Sequence, residues 1–297
     1  MSEPTGPGGP MDLAFEATHG PLWSASWARA SEEQLETWLA FALSACDVAD
    51  EIALRHFRRE LEVMVKPDRT FVTIADRSIE KAIRERIGAT YPEHGMVGEE
   101  YGEEAGQASV RWYIDPIDGT SNFIRGVPVF ATLLALEVDG ELQLGVMSAP
   151  AMGERWYARR GGGAWAASTI GDGRPSVRRV LVSGVDRVVN AHVLYGSALD
   201  LEESGEAPGF RGLLQSAWRN RGFGDFWGYA LVAEGSAEMM AETGLGSWDL
   251  AAPAVLLEEA GGLMTDLAGR RTVHAGSALA TNGLLHETIL ERLRATP

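Results

Sequence analysis

The sequence predicts a layered α/β protein in which hairpins and helices are mixed. Three observations point there. Apolar residues recur at helical spacing after Ser31. Two apolar runs flank Asp139-Gly140, a strong hairpin signal. Strands and helices also follow one another without the strict alternation of a doubly wound sheet.

The elements follow in order. Residues 1–30 read as an N-terminal extension, its first ten residues disordered, with Leu22, Trp23 and Trp27 available to dock on the body. Ser31-Glu-Glu-Gln34 has capping-box form. Leu35, Trp38, Leu39, Ala42, Leu43, Ala49, Ile52 and Ala53 then predict one long helix ending near Arg59. Phe71–Thr73 reads as a strand leading to Asp76, and a helix follows with Ile79, Ile83 and Ile87 on one face. Trp112–Ile114 reads as a short strand stopping at Asp115-Pro116. Val129–Val138 and Glu141–Met147 form the hairpin, and Trp156–Ala158 precedes a turn at Gly161–Gly163. A soft lobe boundary falls near 170–180, around Gly171–Pro175. Val177–Val182 and His192–Tyr195 are strands, and Phe226–Glu242 and Leu250–Ala260 are helices. Pro253 falls about one turn into the second, a tolerable place near a helix start. Gly261-Gly262 end that helix before a strand at Leu263–Thr265.

Composition narrows the function. The 297 residues carry 26 Lys+Arg against 42 Asp+Glu, a formal charge of −16. That field repels nucleic acid and an anionic membrane surface alike. An anionic substrate would need a local reversal of sign, for which bound metal cations are the usual device. The single cysteine, Cys46, cannot form an internal disulfide and reads as filler on the first helix. The six histidines form no HxxxH or HxxH pair, so zinc has little support. The start MSEPTGPGGP lacks the pattern of a signal peptide, and Val127–Val138 is too short to span a bilayer. A cytoplasmic protein is expected.

Chemistry concentrates in Asp115-Pro-Ile-Asp-Gly-Thr120. Two carboxylates three residues apart flank a proline that fixes the backbone, and a glycine and a hydroxyl follow. Ionised carboxylates are hard oxygen donors suited to Mg2+ or Mn2+. Gly119 permits a tight turn, and free N–H groups at a helix start there can hold a phosphate. Alone, the segment also reads as an Asp-rich surface turn. Glu99-Glu100 alone reads as a solvated charge run, and Asp76 and Asp249 alone as helix N-caps. As a set, acids at 76, 99, 115, 118 and 249 each stand beside a strand end or helix start. Paired divalent cations offset repulsion between a phosphate dianion and its nucleophile, so no nucleophilic Cys or Ser is required.

Four blocks resemble the inositol-monophosphatase family of metal-dependent sugar phosphatases, in order and in spacing. They are Lys66 with Val72-Thr-Ile-Ala-Asp76; Gly98-Glu-Glu100; Trp112-Tyr-Ile-Asp-Pro-Ile-Asp-Gly-Thr-Ser-Asn-Phe123; and Trp248-Asp-Leu-Ala-Ala252 with Glu259-Ala-Gly-Gly262 behind it. The likeness runs over about residues 31–295. It implies an α/β (α+β) fold, a five-layered αβαβα sandwich, and a homodimer. It further implies one phosphatase domain over 31–297, with a metal-binding lobe at about 31–175 and a substrate-side lobe at about 176–297. It implies roughly two or three Mg2+ per site, replaceable by Mn2+. On the same resemblance Glu99, Asp115 and the Ile117 carbonyl hold one metal, and Asp115, Asp118 and Asp249 another. Asp76 accepts a hydrogen bond from Thr120, and Thr120 with Glu99 orients the attacking water. Backbone N–H groups of Gly119 and Thr120 grip the phosphate, Ser121 and Asp249 adjoin the substrate, and Glu100 lies beside the site.

Gly222-Phe-Gly-Asp-Phe-Trp-Gly-Tyr229 departs from the small-residue run of the inositol enzymes and looks like the histidinol-phosphate phosphatase branch. Histidinol phosphate carries an ammonium and an imidazole, and Asp225 would pair with the ammonium. Glu242, seven residues before Asp249, occupies the family position that meets the non-phosphate part of the substrate. Equally, Asp225 reads as a helix N-cap, Glu242 as a solvated last-turn residue, and Phe226, Trp227 and Tyr229 as core. Arg219 and Arg221 read as surface charges. The expected activity is hydrolysis of histidinol phosphate in histidine biosynthesis, with inositol-1-monophosphatase as the alternative. Fructose or adenosine bisphosphates are weaker options for want of a basic second-phosphate site. A non-catalytic metal-binding role is disfavoured because Asp76 and Thr120 are both kept.

Overall fold

The computed structural model describes residues 30–59, 63–65, 71–170 and 176–295. The N-terminal extension with Leu22, Trp23 and Trp27, together with Lys66 and the Gly171–Pro175 turn, lies outside them.

Helix α1 (Glu32–His56) buries Leu35, Trp38, Ala42, Ala45, Cys46, Ala49, Ile52 and Ala53, spaced three and four residues apart. Burial pushes the Cys46 thiol up, as expected of a core residue. Ribbon strands β1 (Val63–Val65) and β2 (Phe71–Thr73) pair antiparallel and lead into α2 (Ile74–Thr90), which buries Ile79, Ile83 and Ile87. Helices α1 and α2 pack together on one face of an eight-stranded sheet.

That sheet comprises β3 (Gly95–Gly98), β4 (Gly102–Glu104), β5 (Val110–Asp118), β6 (Ala131–Val138), β7 (Glu141–Ala149), β8 (Glu154–Arg159), β9 (Gly163–Ser168) and β10 (Ser176–Val180), ordered β10-β9-β8-β7-β6-β5-β3-β4. Strands β5 to β10 form an antiparallel meander, and β3 joins β5 in parallel. Asp139 and Gly140 turn the β6–β7 hairpin with φ of 52° and 84°, the doubly left-handed turn that matches strand twist. Arg155 on β8 donates to Asp47 and Asp50 of α1 at 2.8 and 2.6 Å, pinning the helix to the sheet.

A second sheet holds β11 (His192–Tyr195), β12 (Arg219–Arg221), β13 (Met239–Thr243), β14 (Leu263–Thr265) and β15 (Ser277–Thr281), in the order β12-β11-β13-β15-β14. Between the sheets lie α6 (Asp225–Ala233) and α7 (Ser247–Glu259). Helix α7 buries every residue from Leu250 to Leu257, as an internal helix must. Short α3 (Thr120–Ile124) follows β5. Helices α4 (Ala198–Glu203), α5 (Phe210–Ser216) and α8 (His286–Arg294) cover the outer face of the second sheet. The layers run helix, sheet, helix, sheet, helix: the expected five-layered sandwich.

One predicted element is corrected. The Phe226–Glu242 helix is two elements. Helix α6 ends at Ala233, Gly235 takes φ +73°, and the chain re-enters as β13, with Glu242 on a strand. Strand β13 is central and paired on both sides, so its Met-Met-Ala run lacks the alternation that distinguishes a strand from a buried helix. Pro253 also falls deeper in its helix than predicted, because α7 begins at Ser247. Strands β1, β3, β4, β9, β12 and β15 and helices α4, α5 and α8 carry no signal in the sequence patterns.

A Cβ on Gly145 would stand 2.6 Å from the Ala252 carbonyl oxygen and 2.8 Å from its Cα, so β7 touches α7 backbone to backbone. Gly145→Ala should cost about 1–3 kcal/mol by overpacking. Chemical denaturation reads this directly, and an unchanged midpoint would deny the close approach.

Candidate active site

The start of α2 is built by Thr73, whose backbone caps the helix and whose hydroxyl accepts from Ala75 N at 3.1 Å. Asp76 closes the capping box from the third helical position: Oδ2 accepts from Thr73 N at 2.8 Å and from the Thr73 hydroxyl at 2.6 Å. Asp76 is therefore not itself the N-cap, as it reads alone. Its other oxygen faces Thr120 Oγ1 at 3.4 Å, which brings together the expected pair. The Thr120 hydroxyl also reaches the Ile117 carbonyl at 3.0 Å. Its single proton thus faces two acceptors, of which the carbonyl is nearer.

Asp115 and Asp118 sit where β5 bulges. Asp115 opposes Leu133 while Asp118 opposes Ala131, so the strand gains a residue against its partner. The strand runs on through Asp115-Pro116 rather than stopping there, and Thr132 Oγ1 holds the Pro116 carbonyl at 2.8 Å. Gly119 caps α3 at φ 79°, and a Cβ there would stand 3.0 Å from the Val129 carbonyl. That conformation favours glycine.

Two further helix starts supply acids. Asp249 in the first turn of α7 accepts from Gly246 N at 2.6 Å. At the start of α6, Phe226 N donates to Asp118 Oδ2 at 2.6 Å. Carboxylate oxygens of Asp115, Asp118 and Asp249 lie within 4.8 Å of one another. Burial, then Glu99, Asp118 and Asp249, hold the Asp115 carboxyl well above its usual range. Burial, then Asp225 and Asp249, do the same for Asp118. Asp115 Oδ1 is buried with no hydrogen-bond partner. A buried oxygen left bare among mutually repelling carboxylates fits a hard divalent cation. Glu99 follows β3, close enough to raise Asp115.

The substrate-side candidates also gather here. Asp225 is the first residue of α6 and takes φ 51°, so Gly224 and not Asp225 is the cap. An aspartate held in this region is strained. Asn122 Nδ2 donates to Asp225 Oδ2 at 3.1 Å. Burial, then Asp249, push the Asp225 carboxyl up to about 6. Glu242 is half-buried on β13 rather than solvated, and the Tyr229 hydroxyl donates to it at 3.4 Å. A Cβ on Gly196 would strike the Glu242 carboxylate, so that glycine makes its seat. Burial, then Asp225 and Asp249, push Glu242 up to about 8. Ser121 is exposed on α3, and Arg219 and Arg221 are exposed on the edge strand β12. Sequence reasoning gave no role to Asn122 or Gly196 and placed Tyr229 in the core. Tyr229 is indeed buried, but its hydroxyl faces the site. Asn122 lies three residues past Gly119, and that proximity was its only signal.

The profile of the inositol monophosphatase family matches residues 34–297. The chain is 44% identical to a histidinol-phosphatase of Mycobacterium tuberculosis over 258 residues, 86% of this chain and 98% of the relative. It is 43% identical to a histidinol-phosphatase of Streptomyces coelicolor over 257 residues, 85% and 95% of the two chains. The extragenic suppressor protein suhB of Bartonella henselae superposes with a TM-score of 0.78 at 28% identity, covering 87% of this chain and 98% of that one. The chain belongs to the inositol monophosphatase family. It is a phosphatase, and its acidic cluster fits the metal dependence of that class. No helix among the described residues is long and apolar enough to cross a membrane.

A pH prediction follows from the raised carboxyls. Unfolded, Glu242 releases its proton near 4.5; folded, it keeps it to about 8. Between those values the folded protein holds more protons, so rising pH destabilises it. Asp225, Asp115 and Asp118 act with the same sign. Metal-free protein in EDTA should melt lower at pH 8 than at pH 5.5, and added Mg2+ should narrow the gap. Equal melting points in EDTA would contradict the crowding of these acids.

Proposed function

We propose that this phosphatase hydrolyses histidinol phosphate to histidinol and inorganic phosphate, using Mg2+, with Mn2+ as a substitute. The observation that supports the substrate is the half-buried pair Asp225 and Glu242 beside the Asp115–Asp118–Asp249 cluster. Two acids beside a phosphate site suit a substrate that carries a cation as well as its phosphate. On the same reading the protein works as a cytoplasmic homodimer in histidine biosynthesis.

Glu99, Asp115, Asp118, Asp249 and the Ile117 carbonyl would hold the cations. Bound there, divalent cations supply neutralising charge to the phosphate and make a nearby water more acidic. The chain's own groups do the rest. N–H groups of Gly119 and Thr120, at the mouth of α3, bind phosphate oxygens. Ser121 adjoins them. Thr120, held by Asp76, orients the attacking water together with Glu99. The water oxygen adds to phosphorus as the ester bond breaks, and histidinol leaves as the alcohol. Asp225, positioned by Asn122, accepts a charge-assisted hydrogen bond from the substrate ammonium. Glu242, steadied by Tyr229, adds a second negative site.

Histidinol phosphate should turn over at least about tenfold faster than inositol 1-phosphate, with both rates lost in EDTA. Faster cleavage of the inositol ester would overturn the substrate assignment. Asp115→Asn should reduce kcat by orders of magnitude with an intact circular-dichroism spectrum. Near-normal turnover would refute its role as a ligand. Asp225→Asn should raise KM for histidinol phosphate about tenfold or more, the cost of truncating a charged pair. A KM unchanged from wild type would remove Asp225 from the substrate site.

A further inference from the structure

Helix α2 carries a second buried acid that the reaction does not use. Asp76, Glu80 and Arg84 recur every four residues and so share one helix face. Glu80 is fully buried. Its carboxylate accepts from two consecutive backbone N–H groups of the turn after β3. Glu100 N lies 2.7 Å from Oε2, and Tyr101 N lies 3.2 Å from Oε1. Arg84 Nε donates to Oε1 at 2.8 Å, and its guanidinium reaches across to the Gly102 carbonyl. The turn is thus gripped by a carboxylate at its start and a guanidinium at its end.

Gly98 shows how closely these groups fit. A Cβ there would fall on the Glu80 carboxylate and stand 3.0 Å from Arg84 Nη2. Glu99 lies between Gly98 and the two gripped N–H groups. On its other side, Glu99 N donates to the Ile114 carbonyl of β5 at 3.2 Å, one residue before Asp115. The position of Glu99 against Asp115 is therefore set from both flanks. One flank is a sheet bond to β5, and the other is the Glu80 carboxylate.

We infer that Glu80 is a positioning residue for the Glu99 turn, and that it governs how well the acidic cluster holds a divalent cation. The inference rests on the metal-site reading given above for Glu99. Helix α2 then places both halves of the machinery from one rigid face: Asp76 reaches Thr120, and Glu80, one turn on, places Glu99. A side chain that acts through a ligand in this way is worth about 10–100-fold in metal affinity.

The decisive variant is Glu80→Gln. It keeps the shape, but whichever way the amide turns, its NH2 faces a donor: Glu100 N on one side, Tyr101 N and Arg84 on the other. Gly98→Ala attacks the same contact from the turn and leaves the acid in place. Mn2+ binding to the metal-free protein should be measured by calorimetry, beside melting in EDTA and the Mg2+ dependence of kcat. Both variants should bind Mn2+ about tenfold or more weakly than wild type. Activity should recover at high Mg2+, with KM for the phosphate ester moving much less. Variants that melt lower yet bind Mn2+ with wild-type affinity would reduce Glu80 to a structural acid and overturn the inference. Should Glu80→Gln not fold, Gly98→Ala decides by the same readout. Wild-type protein that binds no Mn2+ would instead refute the metal-site reading itself, so the two failures are distinguishable.

Discussion

Everything in this protein's site depends on holding together carboxylates that repel one another. Burial and mutual repulsion raise the proton affinity of Asp115, Asp118, Asp225 and Glu242, and the Asp249 charge contributes to each of these shifts. The fold answers with backbone N–H groups at helix starts. Thr73 N serves Asp76, Phe226 N serves Asp118 and Gly246 N serves Asp249. Each such contact gains from the positive end of a helix dipole, worth about 0.3–1 kcal/mol where exposed and up to about 2 where buried. These donors reduce the repulsion without removing it, and what remains favours cations.

The layered architecture is what lets several helix starts meet. Helices α6 and α7 run between the sheets, and α2 lies outside the first. Strand β5 ends where these three helices begin, and its bulge aims two aspartates at a common point. A regular strand would send Asp115 and Asp118 to opposite faces, because residues three apart alternate. The bulge places both in one cluster.

Much of this was legible in the sequence, for local reasons. Helices α1 and α2 and the Asp139-Gly140 hairpin announce themselves by spacing and turn chemistry within a few residues. The acids at 76, 99, 115, 118 and 249 were found because each stands beside a strand end or helix start that the local sequence marks. Strand β13 was not legible, because a strand buried on both faces loses its alternation and joins smoothly onto the apolar helix before it. Glu242 was misplaced with it. Glu80 escaped notice for another reason. Its partners stand 20 and 21 residues away in the Glu100–Tyr101 turn, and no local pattern announces a side chain whose work is to hold a distant backbone.

Helix α7 adds a last consequence. It is buried at every residue from Leu250 to Leu257, and Asp249 stands in the half-buried first turn just ahead of that run. Opening the helix beyond its first turn means parting the layers on either side. Strain among the carboxylates is therefore carried into the interior by the helix that holds Asp249. An ion that relieves it acts as a keystone, tightening distant layers as it settles.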